Sequence, residues 1–180
     1  MSTKPSKYNN LQVALHWLVT LLVLFMLLMG TFVLSQTPNS DPSKILALRG
    51  HMVFGGVILL LTLFRLVWRR MSTQPRHAEA GNALLDKLGI AAHYALNFLT
   101  LLVAASGIGI AVQAGLPDIV FGGQGNLPSD FWTFPSRLAH GVLTKMLIGL
   151  IALHVSGALY HQFIVKDKLF ARVWFAKQKT

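Results

Sequence analysis

Four stretches of this 180-residue chain, 11–34, 45–69, 84–114 and 135–165, are apolar almost throughout. Each is at least as long as the roughly 20 residues that cross a bilayer as a helix. Inside hydrocarbon no water is present to satisfy backbone N–H and C=O groups, so a spanning run folds as a helix that satisfies them within itself. The sequence therefore predicts an all-α fold, an integral membrane four-helix bundle formed by residues 1–180 as a single membrane domain. Charged residues make up 12% of the chain, about half the share usual in soluble domains, and its mean hydropathy is +0.55.

The connections are marked by their own chemistry. Pro38, Asn39, Ser40, Asp41 and Pro42 make the first a loop, because these residues favour turns over helix. The second is the polar segment 71–83, with Arg76 and His77 ahead of a helix start near Asn82. The third, Gly115 to Thr133, is rich in Gly, Pro and Asp, and Phe121, Phe131, Trp132 and Phe134 suggest that part of it rests at the interface. A basic, amphipathic tail runs from Lys166 to Thr180. The first run is too long for the apolar core of a cleaved signal and has His16-Trp17 inside it, so it reads as a span.

The net charge of +10 would suggest nucleic acid in a soluble protein. Here the basic residues cluster at the ends of apolar runs, where they set topology and touch anionic lipid, so the expected partner is membrane lipid and no nucleic acid. Lys4, Lys7, Arg69, Arg70, Arg76, Lys87, Lys166, Lys168, Arg172, Lys177 and Lys179 fall on one side, against Lys44, Arg49 and Arg137 on the other. That asymmetry puts both termini in the cytoplasm. In a bacterium the protein would be a multi-pass component of the inner (cell) membrane with two periplasmic loops.

Seven histidines stand among these apolar residues and at their edges. Fourteen residues separate His140 from His154, which returns a helix to within about 40° of the same face after a rise of about 21 Å. Two imidazoles on one face at two depths point to two metal centres, each completed by a ligand from another helix. His51 and His140 both lie near the outer surface and pair by depth. His16 and His154 lie in the cytoplasmic half, but so do His93 and His161, and depth alone does not choose among them. His161 lies about 31 Å along the helix from His140, close to the cytoplasmic headgroups, which favours His154 for the inner centre.

A lone intramembrane histidine more often packs between helices through a hydrogen bond; two depth-matched pairs argue against that for the set. A tetrahedral zinc site wants further ligands at one depth, and the six acidic residues lie in tails, loops or helix ends. The lack of Cys removes disulfides, Cys-ligated iron–sulfur clusters and covalent CxxCH haem attachment. Haem iron held by two histidines needs only two protein ligands per site, because the tetrapyrrole supplies the other four nitrogens.

Leu15-His16-Trp17, Arg49-Gly50-His51, the region of His93, His140 with His154, and Phe163-Ile164-Val165-Lys166-Asp167 resemble, in this order, the prokaryotic cytochrome b561 family. The resemblance covers nearly the whole chain and implies two haem b groups, with His51 and His140 on the outer iron and His16 and His154 on the inner. It also implies an activity, the oxidation of superoxide at the periplasmic face with electrons passed to ubiquinone as bound substrate. The protein would then be a superoxide:quinone oxidoreductase. The same layout resembles cytochrome b subunits that link a dehydrogenase or an unidentified periplasmic donor to the quinone pool.

Arg65 follows His51 by fourteen residues and so shares its face at the inner depth, placed to pair with haem propionates or to snorkel with Arg69 and Arg70. His93 and His161 are candidates for a quinone carbonyl or its proton, and equally for structural hydrogen bonds. Gly55, Gly107, Gly109, Gly141 and Gly157 offer room for porphyrin faces. Lys145, five residues past His140, either snorkels outward or joins Lys44, Arg49 and Arg137 in a cationic mouth for a small anion.

Overall fold

The computed structural model describes residues 5, 7–75, 82–167 and 169–175. Lys4, Arg76, His77, Lys168, Lys177 and Lys179 lie outside the described residues. The fold is all helical, and among the described residues four helices are long and apolar enough to cross a membrane: Asn10–Leu34, Ser43–Met71, Ala83–Gln113 and Pro135–Val165. Each lies within two residues of its expected limits at either end. We label the regular helices α1 (Asn10–Met29), α2 (Ser43–Met71), α3 (Ala83–Gln113), α4 (Leu116–Val120), α5 (Pro135–Tyr160) and α6 (Leu169–Arg172).

Local chemistry sets the ends. Asn9 caps α1 by accepting the Gln12 N–H at 2.8 Å, and Asn82 caps α3 by accepting from Leu84 at 2.8 Å, each satisfying a donor with no partner within its helix. The first and fourth spans end in wider π-helical turns, Gly30–Leu34 and His161–Val165. Lys44 is buried, and its ammonium donates to the carbonyls of Leu34 and Thr37. It is thus turned inward, onto the end of the first span, and away from any mouth.

α1 packs along α2, α2 along α3, and α3 most extensively along α5, whereas no comparable packing joins α5 to α1 or α2. Buried Val19, Val23, Met26, Ile58, Leu99 and Leu147 meet from all four spans at mid-depth. At the end opposite the termini, the 3–4 connection is more than a loop. Gly115 enters α4 at φ +62°, a left-handed conformation that favours glycine. Leu116 and Val120 then pack with Ala111 and Ala114 against Leu48, Met52, Phe131 and Phe134, making a cap; Phe121 and Trp132 stay exposed.

At the other end the tail folds back on the start of α1. Trp17 Nε1 donates to the Val173 carbonyl at 2.8 Å, the Tyr8 N–H donates to Arg172 at 3.3 Å, and the Trp17 and Trp174 rings meet edge to face.

Candidate functional site

Two layers of histidine sit above and below the mid-depth apolar core. In the layer near the cap, His51 of α2 faces His140 of α5, ring centres 6.3 Å apart and planes at 71°. Nδ1 of His140 lies 3.0 Å from the Val103 carbonyl and 3.0 Å from Ser106 Oγ on α3. The carbonyl only accepts, so Nδ1 carries the proton and Nε2 is left with a free lone pair. Close backbone approach makes room for both rings. A Cβ on Gly107 would come within 3.5 Å of His140 Cε1, and one on Gly30 within 3.7 Å of His51 Cε1.

This arrangement fits a metal held between two imidazoles. Two metal–nitrogen bonds of about 2 Å, plus roughly 1.2 Å from each nitrogen to its ring centre, separate the centres by about 6 to 6.5 Å. Among the described residues no three His, Asp or Glu side chains gather to hold a metal ion, which suits a group that brings its own equatorial ligands.

The second layer gathers His16 of α1, Arg65 of α2, His93 of α3 and His154 of α5. Arg65, His154 and His93 are all within electrostatic reach of His16, and Arg65 is within reach of His154. His93 lies edge-on to His154 with ring centres 4.9 Å apart, too close for an iron between them. His16 and His154 therefore fit a shared centre by depth and neighbourhood, with His93 buttressing His154.

His161 stands apart. It opens the π-helical turn at the end of α5, and its Nδ1 donates to Asp167 Oδ2 at 2.8 Å. Asp167 also accepts the Leu169 N–H at 3.0 Å, so the turn through Lys166, at φ +59°, ties His161 to the start of α6.

Each histidine layer has its own arginine. Arg65 makes no hydrogen bond or ion pair among the described residues, and neither does Arg137, which stacks 4.2 Å over Trp132 within electrostatic reach of His51 and His140. A guanidinium as deep as that of Arg65 is costly without an anion, and a carboxylate-bearing ligand would offset that cost. Arg137, at the start of α5 and only partly buried, is suited to a carboxylate in its own layer. Sequence reading assigns Arg137 to topology and to a cationic mouth for a small anion, but not to a carboxylate in the His140 layer, although its place three residues before His140 gives the shared face. Arg49 is occupied, donating to the Val120 carbonyl from Nε at 3.1 Å and Nη2 at 2.6 Å. Lys145 is exposed, about 80° around α5 and about 12 Å along it from Arg137, so it stands off the face that Arg137 shares with His140. Of the glycines, Gly107 touches His140, Gly109 crowds Ser136 and Gly141 lies against Arg137, whereas a Cβ on Gly157 would meet nothing within 4 Å.

The sequence profile of the family described as prokaryotic cytochrome b561 matches residues 7–176. The chain is 31% identical over 176 residues to cytochrome b562 of Cereibacter sphaeroides, covering 95% of this chain and 97% of that protein. It is 25% identical to cytochrome b561 homolog 2 of Escherichia coli K12, covering 94% and 92%. It is 26% identical to the probable superoxide oxidase CybB of Yersinia pestis, covering 93% and 95%. A multi-pass membrane bundle with facing histidines, matched over nearly its whole length, belongs to the prokaryotic cytochrome b561 family, an electron-transfer family whose cytochrome character implies haem b.

Proposed function

We propose that this chain carries electrons across the bacterial inner membrane from periplasmic superoxide to ubiquinone, through two haem b groups. His51 and His140 hold the outer haem, and His16 and His154 the inner one. The observation that carries this reading is the His51–His140 pair at 6.3 Å, with His140 Nδ1 fixed on a carbonyl of α3. Haem iron supplies the one-electron chemistry when bound. The chain's own residues orient it: Val103 and Ser106 hold the His140 ring, and Arg137 and Arg65 each face one layer with a guanidinium suited to propionate. His93 keeps the His154 ring in place. The mid-depth core of Val23, Ile58, Leu99 and Leu147 keeps water and protons from passing between the layers.

Two superoxide ions each give up one electron and leave as dioxygen; one quinone takes both electrons and two protons. His161, held by Asp167 at the cytoplasmic end, is placed to pass a proton to the quinone oxygen. The test is superoxide consumption by the purified protein with a soluble quinone. Loss of superoxide at near-diffusional rates, with quinol formed at half that rate, supports the reading. Reduction only by a partner protein would make the chain an electron-transfer subunit, and a preparation without Soret absorption would end the haem assignment.

A further inference from the structure

Among the described residues, several buried side-chain N and O atoms at the termini end of the bundle lack a hydrogen-bond partner, Gln74 Oε1 among them. Gln12, 8% exposed, has neither Nε2 nor Oε1 bonded, and Nε1 of Trp68 and Oε1 of Gln162 are likewise buried without a partner. Buried polar groups are nearly always hydrogen-bonded, so each such atom calls for an explanation. Gln12 is the most telling. It stands three residues after the capping Asn9, whose side chain takes the Gln12 N–H. In that position a glutamine ordinarily reaches back to the N–H of the capping residue, closing a reciprocal box. Here that local bond is not made, and the amide is buried instead.

The register places these groups at one level of the bundle. α1 and α2 pack antiparallel, with His16 in reach of Arg65. One turn nearer the termini stand Gln12, four residues before His16, and Trp68, three residues after Arg65. Tyr8, a further turn along, is still within electrostatic reach of Arg65. His161 and Gln162 open the π-helical turn that follows α5, at the same end of the bundle.

We propose that Gln12 and Trp68 form the headgroup site for a quinone at the inner layer, an inference that rests on the quinone-linked function above. A quinone carbonyl only accepts, and the Nε2–H of Gln12 and Nε1–H of Trp68 are donors. A quinol hydroxyl also donates, and Oε1 of Gln12 is the acceptor beside it. An amide with both atoms unpartnered therefore suits a ligand that changes from acceptor to donor on reduction. A haem propionate, which at neutral pH accepts only, would leave Oε1 without a partner.

The experiment compares Gln12→Leu and Trp68→Phe with the wild type. It measures the Kd of a short-chain ubiquinone by calorimetry in detergent, with haem-to-protein ratio and haem midpoint potentials taken on the same samples. The site predicts a Kd weakened about tenfold in either variant, equivalent to about 1.4 kcal/mol, with haem content and potentials unchanged. A lost haem or shifted inner potential with unchanged Kd would overturn the proposal and give these groups to the propionates. Unchanged Kd and unchanged potentials would overturn it as well. Should Gln12→Leu not fold, the conservative Trp68→Phe carries the test alone. A wild type that binds no quinone would instead overturn the quinone-linked function itself.

Discussion

What distinguishes a ligand histidine from a packing histidine is which nitrogen its surroundings occupy. Val103 and Ser106 engage Nδ1 of His140, so only Nε2 is available, and it shares the layer with His51. Replacing either residue should therefore abolish the same centre: His51→Ala and His140→Ala are each expected to lose one haem and leave identical residual spectra. One variant that kept both haems with unchanged spectra would break the pairing. The same reasoning separates His154 from His161. His154 sits among His16, His93 and Arg65, whereas His161 spends its Nδ1 on Asp167. His154→Ala is expected to halve the haem-to-protein ratio. His161→Ala should keep both haems and slow haem reoxidation by a soluble quinone, and Asp167→Asn should act in the same direction more weakly. Haem loss in the His161 variant would reverse the assignment.

At the scale of elements, the closest packing is between α3 and α5, and small residues set it. A Cβ on Gly109 would stand 2.6 Å from Ser136 Oγ and 3.1 Å from its Cβ, whereas one on Gly149 would meet nothing within 4 Å. Gly109→Ala is expected to destabilise by about 1–3 kcal/mol through overpacking, and Gly149→Ala to stabilise by up to about 1 kcal/mol through helix propensity. Thermal unfolding in detergent, followed by Soret absorbance, reads both; equal melting temperatures would mean that α3 and α5 part easily. The spans themselves were legible in the sequence because hydrocarbon allows one outcome for such runs, and the same-face relation of His140 and His154 follows from helix geometry. The cap was not: the turn residues around Leu116, Ile119 and Val120 disguise a one-turn apolar stripe whose partners, Leu48 and Met52, are distant in the chain. Nor was the lean of His93 on His154, which depends on how α3 is rotated against α5. Lys44 read as an outer surface charge because nothing in its local sequence shows that the first span ends in a wide turn with free carbonyls.

For the whole molecule, function depends on which layer faces which compartment. The tail folds back on the start of α1, so both ends of the described chain lie beside the layer of His16 and His154, and the cap covers the layer of His51 and His140. Basic residues collect at the termini end, and the cations at the cap end are partly occupied, Lys44 by carbonyls and Arg49 by Val120. The positive-inside rule predicts the cap on the periplasmic side, where, on the proposed function, superoxide would meet His51 and His140 first. The chain contains no cysteine, so single cysteines report orientation without a background. Gln124 in the cap region and Thr73 after α2 are both exposed. A membrane-impermeant maleimide added to cells with a permeabilised outer membrane and an intact inner one is expected to label Gln124→Cys at once. It should reach Thr73→Cys only after the inner membrane is opened. The opposite pattern would turn the bundle over, placing His16 and His154 toward the periplasm and the proposed quinone site at the wrong surface for proton uptake from the cytoplasm.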